Sequence, residues 1–199
     1  MGLIGVKPGE VAAVVTSLEM LERPRARPLP ESALRLVRWE RPAPDKYRTL
    51  FRRVGEPWLW FSRLIMDDDR LEAIIHDDGI EIYAVVDPRG IEIGLLELDF
   101  RVPATCELSF FGLVPELAGK GHGRWLMAQA LMRAWRSGVT RVWVHTCSLD
   151  HPSALGFYRA SGFTAFARAV ETFADPRLSG HLLREAAPHV PLLDPASRR

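Results

Sequence analysis

Phe110-Phe-Gly-Leu-Val-Pro-Glu-Leu-Ala-Gly-Lys-Gly-His-Gly-Arg-Trp-Leu126 is the stretch that decides the fold of this chain. An apolar run stops at Pro115, glycine stands at 119, 121 and 123, and an amphipathic segment follows at once. A strand that passes through a glycine turn into a helix directs several backbone N–H groups toward the helix's positive end, where a phosphate group can be held. Glycine keeps that approach free of side chains and tolerates backbone angles that other residues avoid. The same spacing also occurs in plain strand-to-helix turns that bind nothing. A Walker loop is excluded, because Lys120 is followed by Gly121 rather than Ser or Thr. Nor is Gly-x-Gly-x-Gly the Gly-x-Gly-x-x-Gly of a dinucleotide site.

Periodicity extends the reading in both directions. Upstream, Val11 to Leu21 reads as a strand, Arg23 to Pro30 as a proline-broken loop, and Leu34 to Trp39 as a short strand. Tyr47, Leu50, Phe51 and Val54 have helical spacing from Pro44 to Val54, closed by Gly55. Asp67 to His76 reads as a second helix, with its acidic cluster at the positive end. Glu81 to Val86 and Ile91 to Phe100 form a hairpin about Asp87-Pro-Arg-Gly90. Cys106 to Val114 is the strand that enters the glycine turn, and Gly121 to Arg136 the helix that leaves it. Arg141 to Thr146 is a strand, Pro152 to Arg159 a short helix with proline in its first turn, and Phe163 to Phe173 a last strand. Strands and helices in this order predict an α+β domain whose sheet carries helices on both faces.

Composition narrows the function. With 26 basic and 25 acidic residues among 199, the chain lacks the basic excess of a nucleic-acid binder, and the Arg23, Arg25 and Arg27 cluster has no aromatic platform. No apolar stretch reaches membrane-spanning length and no signal-peptide pattern opens the chain, so a cytoplasmic protein with no membrane partner is expected. Cys106 and Cys147 have no metal-ligand spacing with the histidines; they read as reduced thiols, and no metal is expected.

A second motif lies one strand beyond the glycine helix. His151-Pro-Ser-Ala-Leu-Gly-Phe-Tyr-Arg-Ala-Ser-Gly-Phe163 is similar to the Asn-x-x-Ala…Tyr…Gly-Phe segment of the GCN5-related N-acetyltransferase (GNAT) family, in bacterial members that carry Asp-His-Pro there. Ala118-Gly-Lys-Gly-His-Gly123 matches that family's Arg/Gln-x-x-Gly-x-Gly/Ala loop except at Ala118. Together with the element order, the two motifs make residues 34–174 resemble a GNAT domain, with residues 1–33 as an N-terminal extension and 175–199 as a proline-containing tail.

The resemblance implies a three-layer fold with a mixed, mostly antiparallel sheet and acetyl-CoA as cosubstrate. The implied activity is direct acetyl transfer to a primary amine in a ternary complex. The pyrophosphate would rest on Ala118, Gly119, Lys120, Gly121, His122, Gly123 and Arg124, with His151 contributing, and the pantetheine arm on the strand edge at Leu113 and Val114. Ala118 offers no side-chain donor and His151 replaces asparagine, so the backbone amides carry most of the grip. Lys120 and Arg124 equally suit a solvated helix start.

Tyr158 aligns with the tyrosine that protonates the departing thiolate; a phenol titrating near ~10 stays protonated at neutral pH. Its other reading is a core tyrosine. Glu107 is the candidate general base, alternating with Ser109 and Phe111 and opposite Cys106, Leu108 and Phe110, although a glutamate exposed at a strand start has the same pattern. Glu97, Asp99 and His145 are weaker candidates. Trp58, Trp60 and Phe61 are candidates for the acceptor pocket, with core packing for two of them as the alternative. His151, or Asp150, is expected to cap the Tyr158 helix.

A small-molecule amine is the expected acceptor. The remaining alternatives are a non-catalytic acyl-CoA-binding module and a transferase of longer acyl groups. The segments outside the shared motifs are candidates to close the acceptor site or to form a homodimer.

Overall fold

The computed structural model describes residues 2–25 and 28–198, so Arg27 of the basic cluster lies outside the described residues. The elements follow in the order β1 (Glu10–Met20), β2 (Arg35–Trp39), α1 (Pro44–Gly55), α2 (Asp68–Ile75), β3 (Ile80–Val86), β4 (Glu92–Asp99), β5 (Thr105–Leu113), α3 (His122–Ala134), β6 (Arg141–Cys147), α4 (Ala154–Ala160) and β7 (Thr164–Ala174).

Local chemistry explains the helix limits. Pro44 opens α1 where a missing N–H costs nothing, and its stripe of Tyr47, Leu50, Phe51 and Val54 is buried against the sheet. Each such side chain, once fully removed from water, contributes about 1.5–3 kcal/mol. In α2 the acidic cluster does the capping, since the Asp67 side chain accepts from the Arg70 amide at 2.8 Å. The α3 stripe of Leu126, Ala130 and Ala134 is buried, but that helix stops at Ala134 rather than Arg136. Likewise α4 begins at Ala154, so Pro152 precedes the helix instead of lying in its first turn. The turn before it is closed by the Ala154 amide donating to the His151 carbonyl at 2.8 Å.

The strands form one seven-stranded sheet in the order β2-β3-β4-β5-β6-β1-β7, antiparallel throughout except for β5 beside β6. Its two faces can be told apart from the cross-strand ladder. Glu97 pairs with Ile82 and meets Tyr47 of α1, so those residues face α1. Tyr83 lies under Arg133 of α3, and Glu81 under Arg136 just past its end, which sets α3 on the opposite face. The helices therefore cover both faces, in the three-layer arrangement expected.

Two irregularities of the sheet shape the site. First, β5 and β6 pair only from Thr105–Arg141 to Glu107–Trp143 and then diverge, leaving the rest of β5 without a neighbour on that side. Second, a β-bulge interrupts the β4–β5 ladder between the Glu97–Phe110 and Leu98–Leu108 pairs. The extra residue reverses the alternation beyond it. Phe110 therefore packs on Phe51 of α1 and on Trp60, on the same face as Glu107, while Phe111 turns to Phe157 and Tyr158 of α4. This corrects the simple alternation read from the sequence, in which Glu107 and Phe111 share a face.

The strand expected near the N-terminus is internal to the sheet. β1 is flanked by β6 and β7, pairing Val15 with Cys147 on one side and with Ala169 on the other. The C-terminal tail wraps the surface around a buried ion pair. Arg177 donates to Asp175 at 2.7 Å and to the carbonyls of Ala186 and Val190.

Candidate active site

The divergence of β5 from β6 opens a cavity of about 590 Å³ that passes between the strands. One end is walled by the glycine loop, α3 and α4, the other by the segment from Trp58 to Ser62 together with Glu171 and Phe173 of β7. Val15, Val144, His145 and Cys147 line the middle.

At the first end the grip is backbone. Gly119 and Gly121 hold φ of 73° and 84°, in the left-handed region that glycine adopts without strain. Gly121 is the N-cap of α3 and no side chain caps that helix, so the amides of His122 and Gly123 remain for a ligand, while that of Arg124 donates to the Gly121 carbonyl at 3.1 Å. Ala118, Gly119, Gly121, Gly123 and Arg124 line the cavity. Lys120 and His122 are not among the lining residues, and His122 Nδ1 is instead 3.1 Å from Ser32 Oγ in the segment before β2.

The open edge of β5 continues this end. Val114 lines the cavity, but its amide donates to the Ile93 carbonyl at 3.0 Å and is not free. Antiparallel pairing alternates its hydrogen bonds. With Val114 and Gly112 turned toward β4, the N–H and C=O of Leu113 and Phe111 point to the unpaired side. A phosphate-bearing chain with an extended amide arm fits this arrangement: amides at a helix start for the phosphates, a bare strand edge for the arm.

Tyr158 is 7% exposed and lines the cavity between Phe111, Phe157 and Phe163. Burial, reinforced by the Asp150 carboxylate, pushes its phenol well above the usual range, so it holds its proton. His151 lines the cavity too, and its Nδ1 accepts from the Ser153 amide at 3.1 Å at the entrance to α4. Asp150, read from sequence as a possible cap, has another task. It accepts from Thr146 Oγ1 at 2.7 Å, from the Cys147 amide at 2.9 Å and from Trp60 Nε1 at 3.3 Å, tying the end of β6 to the aromatic segment.

That aromatic segment is both wall and wedge. Trp58, Trp60 and Phe61 are half-buried and all three line the cavity. Trp60 is seated where Gly55 and Gly112 leave space; a Cβ on Gly55 would come within 2.4 Å of it, and one on Gly112 within 3.0 Å. Phe61 packs on Phe173 with ring centres 4.7 Å apart, and Trp58 lies beside His151 and His189.

The carboxylates fall into different settings. Glu97 is fully buried, accepting from Tyr47 at 2.5 Å and Arg63 at 2.6 Å, so it anchors the loop after Trp58 rather than facing the cavity. Asp99 is engaged by Arg101. Glu107 is not a lining residue; its Oε1 is 3.4 Å from Nδ1 of His145, which is one. Sequence reasoning missed Glu171, Phe173 and Arg63. Only proximity in the sheet brings β7 to the cavity, and no spacing signal marks it.

The chain matches the family model for acetyltransferases of the GNAT family over residues 35–163, and it belongs to that family. It is a family of acetyltransferases, which generally use acetyl-CoA. Solved structures agree on the fold. A GCN5-related N-acetyltransferase from Sphaerobacter thermophilus superposes with a TM-score of 0.59 at 15% identity, covering 85% of this chain and 53% of its own. A spermidine N-acetyltransferase mutant from Vibrio cholerae gives 0.52 at 21% identity, over 74% of this chain and 96% of its own. An aminoglycoside acetyltransferase from an uncultured soil metagenomic sample, in complex with sisomicin, gives 0.56 at 17%, over 70% and 93%. This chain covers 63%, 53% and 53% of the first three structural relatives, one of them a tandem GNAT protein. No curated protein matches by sequence. Among the described residues no helix is long and apolar enough to cross a membrane, and no cluster of His, Cys, Asp or Glu is placed to hold a metal ion.

Proposed function

We propose that this protein transfers the acetyl group of acetyl-CoA to a primary amine of a small molecule, by direct transfer with both substrates bound. The observation that carries the reading is the single cavity linking the glycine loop to an aromatic and acidic chamber, with Tyr158 in its wall. When bound, acetyl-CoA supplies an activated thioester carbonyl. The amides of Gly119, Gly121, His122 and Gly123 hold its pyrophosphate, Leu113 and Phe111 pair with its arm, and Arg124 adds charge through its side chain. Tyr158, kept protonated by burial, donates to the leaving sulfur.

At the other end Trp58, Phe61 and Phe173 form an apolar and π-rich wall, and Glu171 a negative charge, which together suit a cationic amine. The chamber lies between strands and under a loop, which favours a compact acceptor over a protein surface. Acetylation assayed across panels of small amines and of lysine peptides tests this. Turnover on small amines is expected; turnover on peptides alone would remove the small-molecule part. A protein that neither gains thermal stability with acetyl-CoA nor releases free thiol with any amine would remove the whole reading.

A further inference from the structure

Glu107 and His145 meet where the sheet opens. Their strands pair in parallel up to Glu107–Trp143, and His145 stands two residues beyond that last rung, where β6 has begun to leave β5. His145 lines the cavity, and its side chain is 48% exposed. Glu107 stands behind it, 23% exposed and absent from the cavity wall, with Oε1 3.4 Å from His145 Nδ1. A carboxylate facing Nδ1 favours the neutral tautomer that keeps its proton there, which leaves a bare lone pair on Nε2. That leaves the nitrogen not facing Glu107 as the atom an acceptor can reach.

We infer that His145 is the base that takes the acceptor's proton, and that Glu107 is a positioning residue that fixes the imidazole's tautomer and orientation. This rests on the acetyl-transfer reading. The alkyl ammonium gives one proton to His145 Nε2, and its freed lone pair attacks the thioester carbonyl carbon. The C–N bond forms and the C–S bond breaks, with the sulfur taking the Tyr158 proton. Tyr158 regains the proton that the nitrogen sheds on becoming an amide. His145 passes its own to water, so each turnover releases one proton.

The surroundings fit the task. The charged groups that act most strongly on His145 are acidic: Glu107 from β5, Asp150 from the turn after β6 and Glu171 from β7, while β1 places Ser17 beside it. The contact with Glu107, more than the others, raises the imidazole above its ordinary value. A base so raised is better matched to an alkyl ammonium than a free carboxylate.

Two measurements on the full chain test the inference. In the first, the ring C–H signals of the 6 histidines are followed against pH by NMR, with His145 assigned from His145→Gln. The His145 midpoint is expected above that of a free imidazole and lower in Glu107→Gln; an unchanged midpoint in Glu107→Gln overturns the pairing. The second uses acetyl-CoA with the best small amine of the panel. His145→Gln should lower kcat by roughly 10²–10⁴-fold without changing KM for acetyl-CoA. Glu107→Gln should keep at least about a tenth of kcat and move the acidic limb of the rate profile to lower pH. A near-normal His145→Gln, or a Glu107→Gln as impaired as His145→Gln, overturns the assignment in favour of Glu107. If wild type acetylates no amine, the base role falls with the acetyl-transfer reading, while the titration still reports whether the pair exists.

Discussion

The two ends of the cavity are built on opposite plans. The glycine-loop end uses consecutive residues and works through backbone: two glycines with left-handed φ, an uncapped helix start and a bare strand edge. The acceptor end uses side chains brought from the loop after α1, from β6 and from β7, more than a hundred residues apart in sequence. Backbone sites tolerate changes of side chain, so they persist as a recognisable motif. Side-chain sites change chemistry with each substitution, so under the proposed function acceptor choice falls to this end.

Substitutions at each end can break or sharpen that contrast. The largest effect is expected at the junction. Tyr158→Phe should lower kcat by roughly 10²–10⁴-fold while the calorimetric affinity for acetyl-CoA stays within about twofold. Affinity falling in step with rate would make Tyr158 a binding residue instead. Next comes the anchor of the acceptor loop. Glu97→Ala leaves Arg63 and Tyr47 buried without their acceptor and should cost about 3–5 kcal/mol in urea unfolding, whereas Asp99→Ala, whose partner Arg101 is exposed to water, should cost less. Comparable losses would show that the buried pair anchors nothing.

At the backbone end, Gly121→Ala must hold a left-handed φ of 84°, a strain of about 1–2 kcal/mol. Acetyl-CoA binding should weaken about tenfold, in contrast to Lys120→Ala, which should change it little. At the side-chain end, Phe173→Ala removes the tilted ring contact with Phe61, worth about 0.5–1.5 kcal/mol, and should raise KM for the amine severalfold while sparing acetyl-CoA.

The smallest effect is a pH dependence of stability. His145 has a raised value in the folded state, so its pairing with Glu107 stabilises the fold fully below the ordinary imidazole value, and the benefit is lost as pH rises through the folded value. The stability gap between wild type and Glu107→Gln should therefore be widest near pH 5 and shrink by pH 9. A constant gap would remove the coupling.

The same division explains what the sequence disclosed. The strand–glycine–helix order, the α1 stripe and the Tyr158 segment are local patterns, and each element lies within a few residues of its expected limits. The bulge beside Phe110 is not local: it arises because β4 and β5 pair out of step, and it decides that Phe110, not Phe111, shares a face with Glu107. That His145 and not Glu107 lines the cavity is likewise something strand alternation alone does not show. Glu171 and Phe173 were hidden for a similar reason, since only the placement of β1 carries β7 to this side of the sheet.

That placement of β1 also governs the order of assembly. Once made, β1 finds neither neighbour until more than a hundred further residues follow, because it pairs Val15 with Cys147 and Glu10 with Ala174. Residues 35–113 can form β2 to β5 by two local hairpins and one connection through α1 and α2 while β1 waits unpaired. The sheet then closes by long-range contacts, which fold slowly and expose edges meanwhile. β7 and β1 are thus joined in one late step, and the end of the cavity walled by Glu171 and Phe173 is complete only after it.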